Sequence, residues 1–222
     1  MRNLFIPVLF IVLLACKKEK NWEYWDNLAA KKMDEINNLS KNYTCSDISN
    51  LTFQQLPSYC PYSIIVHKND IQQFNKLVKE YQDYSKKAHN AGKPIPYYDM
   101  CAANFAIKIA CNDNKPHLIT SLNIELEDIN IEMPKLYDEI INHYIDTPCS
   151  NVNDWQGVIL YNGENKEAIA IKNTDNSFYQ KISLYNQLNS RKLIFENKQF
   201  PQIPNKKIIL NCKNSRIKAE FE

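Results

Sequence analysis

Glycine is scarce in this chain, which has only three in its 222 residues, at Gly92, Gly157 and Gly163. A phosphate-binding P-loop, a dinucleotide fingerprint and the Gly-x-Ser-x-Gly turn of hydrolases all need closely spaced glycines. The wide spacing of these three therefore excludes those enzyme classes in their usual forms.

Local metal motifs are missing as well. No two of the seven cysteines lie within four positions of each other, and the histidines are scattered at His67, His89, His117 and His143. Zinc sites with a local signature need closely spaced ligands. Asp113 lacks the downstream glycine and glutamate of a calcium loop, so a turn is the simpler interpretation. We predict neither a metal nor a cofactor.

Charge of one sign does not dominate the chain. It has 27 lysines and arginines against 25 aspartates and glutamates, a formal net charge of +2 at pH 7. Because clustered positive charge drives nucleic-acid binding, we expect no nucleic-acid partner. The balance conceals two opposed segments: residues 123–154 contain eight acidic side chains and one basic, and residues 191–222 contain eight basic and three acidic. Such segments either neutralise each other or attract a charged partner.

Long apolar runs are absent beyond the N-terminus. Arg2 is followed by the uncharged, apolar stretch from Leu4 to Ala15, which is shorter than the roughly 20 residues that a helix needs to cross a bilayer. A positive residue, a short apolar run and a small residue at its end are typical of a secretory signal peptide.

The run Leu13-Leu14-Ala15-Cys16 resembles the lipobox of bacterial lipoprotein precursors. The resemblance covers only the signal. It implies that residues 1–15 are removed and that Cys16 becomes the N-terminus, diacylated and then acylated on its amine with palmitate-type chains. Several acyl chains anchor a protein stably, whereas one binds only marginally. We therefore predict an exported lipoprotein, tethered through residues 16–20 to a bacterial outer membrane at its periplasmic or cell-surface face.

Six cysteines remain besides Cys16, an even number that suits an oxidising compartment; they are Cys45, Cys60, Cys101, Cys111, Cys149 and Cys212. We predict three disulfides, for which 15 pairings exist. The segment between Cys101 and Cys111 holds them too far apart unless it reverses. Cys45 and Cys60 bracket a polar stretch that can fold back, so we favour that bridge. Free buried thiols are the alternative for one pair.

Hydrophobic periodicity predicts helices in the first two thirds of the chain. Apolar residues recur every three or four positions over residues 21–41 and 71–88, and Gly92 should end the second helix. Pro134 is expected to open a third helix that stops before Pro148. Residues 42–60 have no periodicity and are interpreted as a loop.

Alternating patterns predict strands elsewhere. We expect a short strand at 63–66 and a hairpin with strands at 105–111 and 122–126, although the alanines of the first favour a helix as the alternative. A C-terminal antiparallel meander is predicted over residues 155–161, 168–172, 178–185, 192–196, 207–212 and 216–222. Asn162-Gly163 is a hairpin signal after the first of these strands. The class is therefore α+β, with an α+β part at 21–150 and an antiparallel β part at 151–222 that could form one continuous domain. Residues 63–89 and 122–145 hint at a repeat without aligning convincingly.

Two groups of side chains are candidates for binding or chemistry. Glu125 and Glu127 would share one strand face, where paired carboxylates could act on glycans, although a solvated face explains them more simply. A second group consists of tyrosines close to prolines, which could stack on sugars, anchor a protein partner or pack on the core; these are Tyr59, Tyr62, Tyr97 and Tyr98.

Two functional classes remain open. The first is a binding lipoprotein, such as an inhibitor or immunity protein that recognises a protein partner at the membrane. The second is a hydrolase of glycan or peptide whose site is assembled from distant residues. We favour the non-enzymatic class because no catalytic residue can be assigned from the sequence.

Overall fold

The structure is a computed structural model that describes residues 20–57, 62–94, 104–202 and 206–222. Helices and two-stranded antiparallel hairpins alternate along these residues, so the predicted α+β class is confirmed. The helices are α1 (Trp22–Leu39), α2 (Ile71–Asn90), α3 (Leu126–Asn142) and α4 (Asn176–Phe195). The strands are β1 (Leu51–Leu56), β2 (Tyr62–His67), β3 (Ala106–Asn112), β4 (Lys115–Thr120), β5 (Trp155–Asn162), β6 (Asn165–Lys172), β7 (Ile208–Lys213) and β8 (Arg216–Phe221).

Helix α4 occupies the region predicted as strands at 178–185 and 192–196, so those two strands are wrong. Its buried positions include Phe178, Ile182 and Tyr185, which follow helical rather than alternating spacing. The Asp175 side chain also accepts a hydrogen bond from the Phe178 N–H, and this N-cap starts the helix. The predicted C-terminal meander is therefore interrupted by a helix.

Three other boundaries differ from the prediction. Asp113 and Asn114 both have left-handed φ values and form a two-residue turn, so the second strand starts at Lys115 instead of residue 122. Residues 42–60, predicted as a loop, contain a 3₁₀ turn and strand β1. Helix α3 begins well before Pro134, because its buried stripe on both sides of the proline holds the helix against the core.

One compact unit contains α1 and α2. Trp25 stacks on Tyr84 with ring centroids 6.1 Å apart, and Lys32 forms an ion pair with Glu80 at 3.0 Å. Because the residue nearer the start of α1 contacts the residue nearer the end of α2, the helices run antiparallel.

The second compact unit spans residues 42–69 and 100–222. Its buried cluster joins α3 and α4 to strands β5 and β6; the members are Ile124, Ile129, Met133, Ile140, Leu160, Ile171, Phe178, Ile182, Tyr185 and Leu188. The Asn186 amide fixes α4 to β5, since it accepts from the Tyr161 N–H at 2.8 Å and donates to the Ile159 carbonyl at 2.9 Å. An asparagine on the helix thus satisfies backbone groups of the strand.

The order helix, hairpin, helix, hairpin occurs twice, first in α1 to β4 and again in α3 to β8. When Trp22 is set opposite Leu126, the sequences align without a gap as far as Leu56 and Leu160, both fully buried. Identical residues in this alignment include Lys31 and Lys135, Asp34 and Asp138, Glu35 and Glu139, Ile36 and Ile140, Asn38 and Asn142, and Cys45 and Cys149. The repeated unit therefore starts at α1 and again at α3, and it is longer than the segments 63–89 and 122–145 that the sequence suggested.

The ends of α2 and α4 repeat at the level of single hydrogen bonds. Gly92 and Asn197 both adopt left-handed φ values, 91° and 52°. The next residue in each case, Lys93 or Lys198, donates its N–H back to the helix, at 3.0 and 2.9 Å respectively. Both helices thus end in the same type of C-terminal cap.

Each repeat contains one equivalent disulfide. Cys45 bonds to Cys111, and Cys149 bonds to Cys212. In each repeat, the N–H of the first cysteine also donates a hydrogen bond to a carbonyl in the turn of the hairpin that carries the second cysteine. The bonds run from Cys45 to Asn114 at 3.3 Å and from Cys149 to Ser215 at 2.9 Å. The preferred Cys45–Cys60 bridge is therefore wrong, because the segment after Cys45 forms β1 instead of folding back. Cys60 and Cys101 lie outside the described residues, so a third bridge stays a prediction.

Within the described ranges, no helix is both long and apolar enough to span a membrane.

Candidate binding surfaces

The β7–β8 hairpin presents three cations on one face. Along β8, Arg216, Lys218 and the exposed acid Glu220 alternate with half-buried apolar residues. Lys213 lies directly opposite Arg216 in the strand register, so the face carries three cations and one acid. All three cations are exposed, and none forms an ion pair with another described residue. We call Lys213, Arg216 and Lys218 the basic hairpin face.

The pairing of Lys213 with Arg216 opposes the stability of the hairpin, because like charges directly opposite each other destabilise a sheet. The corresponding pair in the first repeat is Asn112 opposite Lys115, which carries only one charge. The fold of the hairpin therefore does not require two cations at this place, and an anionic partner would relieve their repulsion.

The acidic segment lies on α3 and the loop that follows it. Some of its acids have local partners: Asp128 pairs with Lys108, and Glu139 pairs with Lys181 at 2.7 Å. Others are exposed without an ion pair to any described residue, namely Glu125, Glu127, Asp138, Asp146 and Asp154. Among the described residues no ion pair joins this segment to residues 191–222. The two opposed segments therefore do not neutralise each other through direct pairs.

Asp175 organises the polar cluster at the start of α4. It accepts hydrogen bonds from the Phe178 N–H at 2.9 Å, the Ser177 hydroxyl at 2.7 Å and the Tyr144 hydroxyl at 2.8 Å, and the His143 Nε2 lies 3.1 Å away. The Phe178 N–H, followed by the two hydroxyls, holds the pKa of Asp175 well below its usual value. Burial, together with the bond to Asp175, raises the pKa of Tyr144 to about 12.

This cluster differs from a hydrolytic triad. In a triad the serine hydroxyl bonds to the histidine, which removes its proton, whereas Ser177 donates to Asp175 instead. The His143 ring stacks on Phe178 with ring centroids 4.1 Å apart. The arrangement is that of a helix cap packed against aromatic rings.

The carboxylates and tyrosines that the sequence suggested as candidates do not form a common site among the described residues. Glu125 is the N-cap residue of α3 and Glu127 lies in its first turn, so their prediction as neighbours on a strand face is wrong; acids here favourably face the helix dipole. Tyr62 begins β2 and is 38% exposed. The other predicted tyrosines and the lipidation site lie outside the described residues; these are Tyr59, Tyr97, Tyr98 and Cys16.

The histidines lie in different elements. His67 ends β2, His89 belongs to α2, His117 to β4, and His143 follows α3. In the described part of the chain no three His, Cys, Asp or Glu side chains are grouped so as to hold a metal ion.

Sequence reasoning identified the basic segment but missed the basic hairpin face within it. The signal was present, because Arg216 and Lys218 alternate with apolar residues and Asn214-Ser215 is a turn. Only the register adds Lys213 to the same face.

The repeats, their disulfides and the charged surfaces define a disulfide-bonded α+β protein. Comparison of the chain with protein families, curated proteins and solved structures gives no match.

Proposed function

We propose that this chain is a lipid-anchored bacterial envelope protein that binds a protein partner, in the manner of an inhibitor or immunity protein. The observation that carries the proposal is the basic hairpin face, where three exposed cations lack ionic partners among the described residues. An acidic protein surface has the complementary charge. Clustered charge of this kind accelerates and orients encounters with such a partner.

The unpaired acids of α3 offer a second charged surface. The Cys149–Cys212 disulfide holds the acidic and basic segments next to each other, and the described residues contain no ion pair between them. A partner with charges of both signs could therefore contact both. Polar pairs at the edge of an interface determine the encounter rate and orientation more than the affinity. We therefore expect a salt-sensitive association.

The anchor is supported by the N-terminal sequence, in which Cys16 follows an apolar run and Ala15. Replacement of Cys16 by alanine should abolish metabolic labelling with a fatty-acid probe and release the protein from the membrane fraction. Unchanged labelling of the Cys16→Ala protein would contradict the lipoprotein proposal.

The binding proposal is tested with the soluble domain that starts after Lys20 as bait in envelope and secreted fractions. A variant with Lys213→Gln, Arg216→Gln and Lys218→Gln should lose the captured protein at low salt. Lys76→Gln, Lys79→Gln and Lys86→Gln form the control, because these exposed lysines of α2 also lack ion pairs to described residues and their removal changes the net charge equally.

Capture that is identical for both variants would contradict a role for the basic hairpin face. If no protein is captured in a saturable manner, and the chain instead turns over a glycan or peptide in a reaction lost on mutation of a pocket carboxylate or histidine in a variant that stays folded, the hydrolase alternative would replace the proposal.

A further inference from the structure

A groove follows one side of α4, where four uncharged polar side chains form a stripe. Asn176, Tyr179, Gln180 and Ser183 recur at three and four residue steps, the spacing that puts them on one side of a helix. Together with Phe105 and others they line a cavity of about 430 Å³.

Two further cavities share lining residues with this one and lie on opposite sides of the helix. Tyr179 and Ser183 also line a cavity of about 480 Å³ that reaches Ile159 of β5. Gln180 and Gln55 line another of about 300 Å³ that reaches β1. Gln55 and Ile159 are equivalent positions in the two repeats, so the groove runs from a hairpin of one repeat to a hairpin of the other. Concave sites lined by a few polar groups are common ligand sites.

Four of the polar side chains that line the groove are not used by the described fold. Among the described residues, no hydrogen bond engages the side chains of Gln55, Asn176, Gln180 or Ser183. The Asn104 Oδ1, which also belongs to the groove wall, is buried without a hydrogen-bond partner in the described structure. Buried polar atoms normally have partners, so the Asn104 amide oxygen is a further polar group in this wall that the described fold leaves unsatisfied.

The lining favours an uncharged ligand. Its charged members are Lys181, already paired with Glu139, and Lys206 at one end. Amide side chains donate and accept at once, which suits hydroxyl groups. Tyr179, which is 51% exposed, presents an aromatic ring to which the apolar side of a sugar can pack.

We propose that this groove binds a neutral glycan chain. A polypeptide recognised by strand addition would need a free strand edge. The wall formed by α4 has its backbone groups bonded within the helix, and on β5 the Asn186 amide already bonds to the Tyr161 N–H and the Ile159 carbonyl. The site lies apart from the basic hairpin face in its residues, and its ligand carries no charge. The inference therefore goes beyond the proposed protein partner and does not depend on it.

The test uses the mature chain, residues 16–222, made soluble by Cys16→Ser. Maltohexaose, cellohexaose and fully N-acetylated chitohexaose are titrated into it by isothermal calorimetry at low and high salt, with an uncharged Ser-Asn-Gly peptide as a fourth probe. We expect at least one hexasaccharide to bind in a saturable manner, with the same affinity at both salt concentrations.

Variants assign the binding to the groove. Tyr179→Ala should weaken the affinity by about tenfold, and a combined Gln55→Ala and Gln180→Ala change should weaken it as well. Tyr24→Ala is the matched control, because Tyr24 is 42% exposed on α1 and does not line the groove. The glutamine variant of the basic hairpin face should bind the glycan normally, which separates this inference from the proposed function.

Three outcomes would overturn the proposal. These are the absence of saturable binding of all three hexasaccharides at millimolar concentration, saturable binding that Tyr179→Ala leaves unchanged, and saturation by the peptide alone. Circular dichroism of each variant establishes that a lost affinity does not reflect lost folding.

Discussion

Asp175 shows how a single carboxylate can stabilise this fold in a pH-dependent manner. Its pKa is lowered by the Phe178 N–H and the hydroxyls that bond to it, so its contribution is present above the unfolded pKa of about 4 and is lost as the pH falls below that value. Asp175→Asn should lower the free energy of unfolding by about 1–2 kcal/mol at pH 7. Asparagine is also a good N-cap, so the difference reports mainly on the charge.

Urea unfolding of the wild type and Asp175→Asn between pH 7 and pH 2 measures this effect. The difference in unfolding free energy between the two proteins should become smaller as the pH approaches 2. Asp34→Asn is the control, because Asp34 is exposed on α1. A difference in unfolding free energy that does not change with pH would contradict the stabilising role of the Asp175 charge.

Gly157 is required by a close approach between hairpins. A Cβ atom at this position would lie 2.8 Å from the Cβ of Ile208 and closer still to its Cγ2. Gly157→Ala should therefore cost about 1–3 kcal/mol of unfolding free energy, through overpacking. Urea denaturation of Gly157→Ala, Ile208→Ala and the double variant should give a double-variant loss smaller than the sum of the single losses. An additive cycle would contradict the steric explanation.

The sequence predicted the local roles of the other two glycines and could not predict this one. Gly92 ends α2 and Gly163 belongs to the β5–β6 turn, both with left-handed φ values. Those roles depend on neighbouring residues, which the sequence shows directly. The role of Gly157 depends on a strand about fifty residues later, and no local pattern records that contact.

At the scale of elements, helices with a single apolar side were predicted correctly from the sequence, whereas the helix with apolar residues on both sides was not. Helices α1 and α2 have one apolar and one polar side, and their predicted bounds agree closely with the structure. Helix α4 was predicted as strands because apolar residues occur on both of its sides: Tyr179 and Ile194 are exposed, whereas Phe178 and Leu193 are buried. Its polar stripe over residues 176–183, which forms the proposed groove, was missed with the helix.

The repeat gives the two disulfides comparable roles. Cys45–Cys111 and Cys149–Cys212 close loops of similar length, with sequence separations of 66 and 63. In the chain-entropy account each should stabilise the fold by about 4 kcal/mol. We expect urea unfolding of Cys45→Ser/Cys111→Ser and of Cys149→Ser/Cys212→Ser to show similar losses. A loss below about 1 kcal/mol in only one double variant would contradict their equivalence.

At the scale of the whole molecule, composition concealed the feature on which the proposed function depends. The net charge of +2 suggested balance, yet among the described residues the acidic and basic segments form no ion pair with each other. The sequence could reveal that the two segments exist. Only the fold decides whether they meet, because charges far apart in sequence are brought together or separated by strand pairing and helix packing.

The most direct test of the proposed function is the salt dependence of the dissociation constant for the captured partner. It is measured for the wild type and for the Lys213→Gln, Arg216→Gln, Lys218→Gln variant. Screening weakens exposed charge interactions as the Debye length falls from about 10 Å at 0.1 M salt to about 3 Å at 1 M. We predict that the wild type binds more tightly at low salt and that the two affinities converge at high salt. Equal affinities at every salt concentration would contradict the claim that the basic hairpin face guides the encounter.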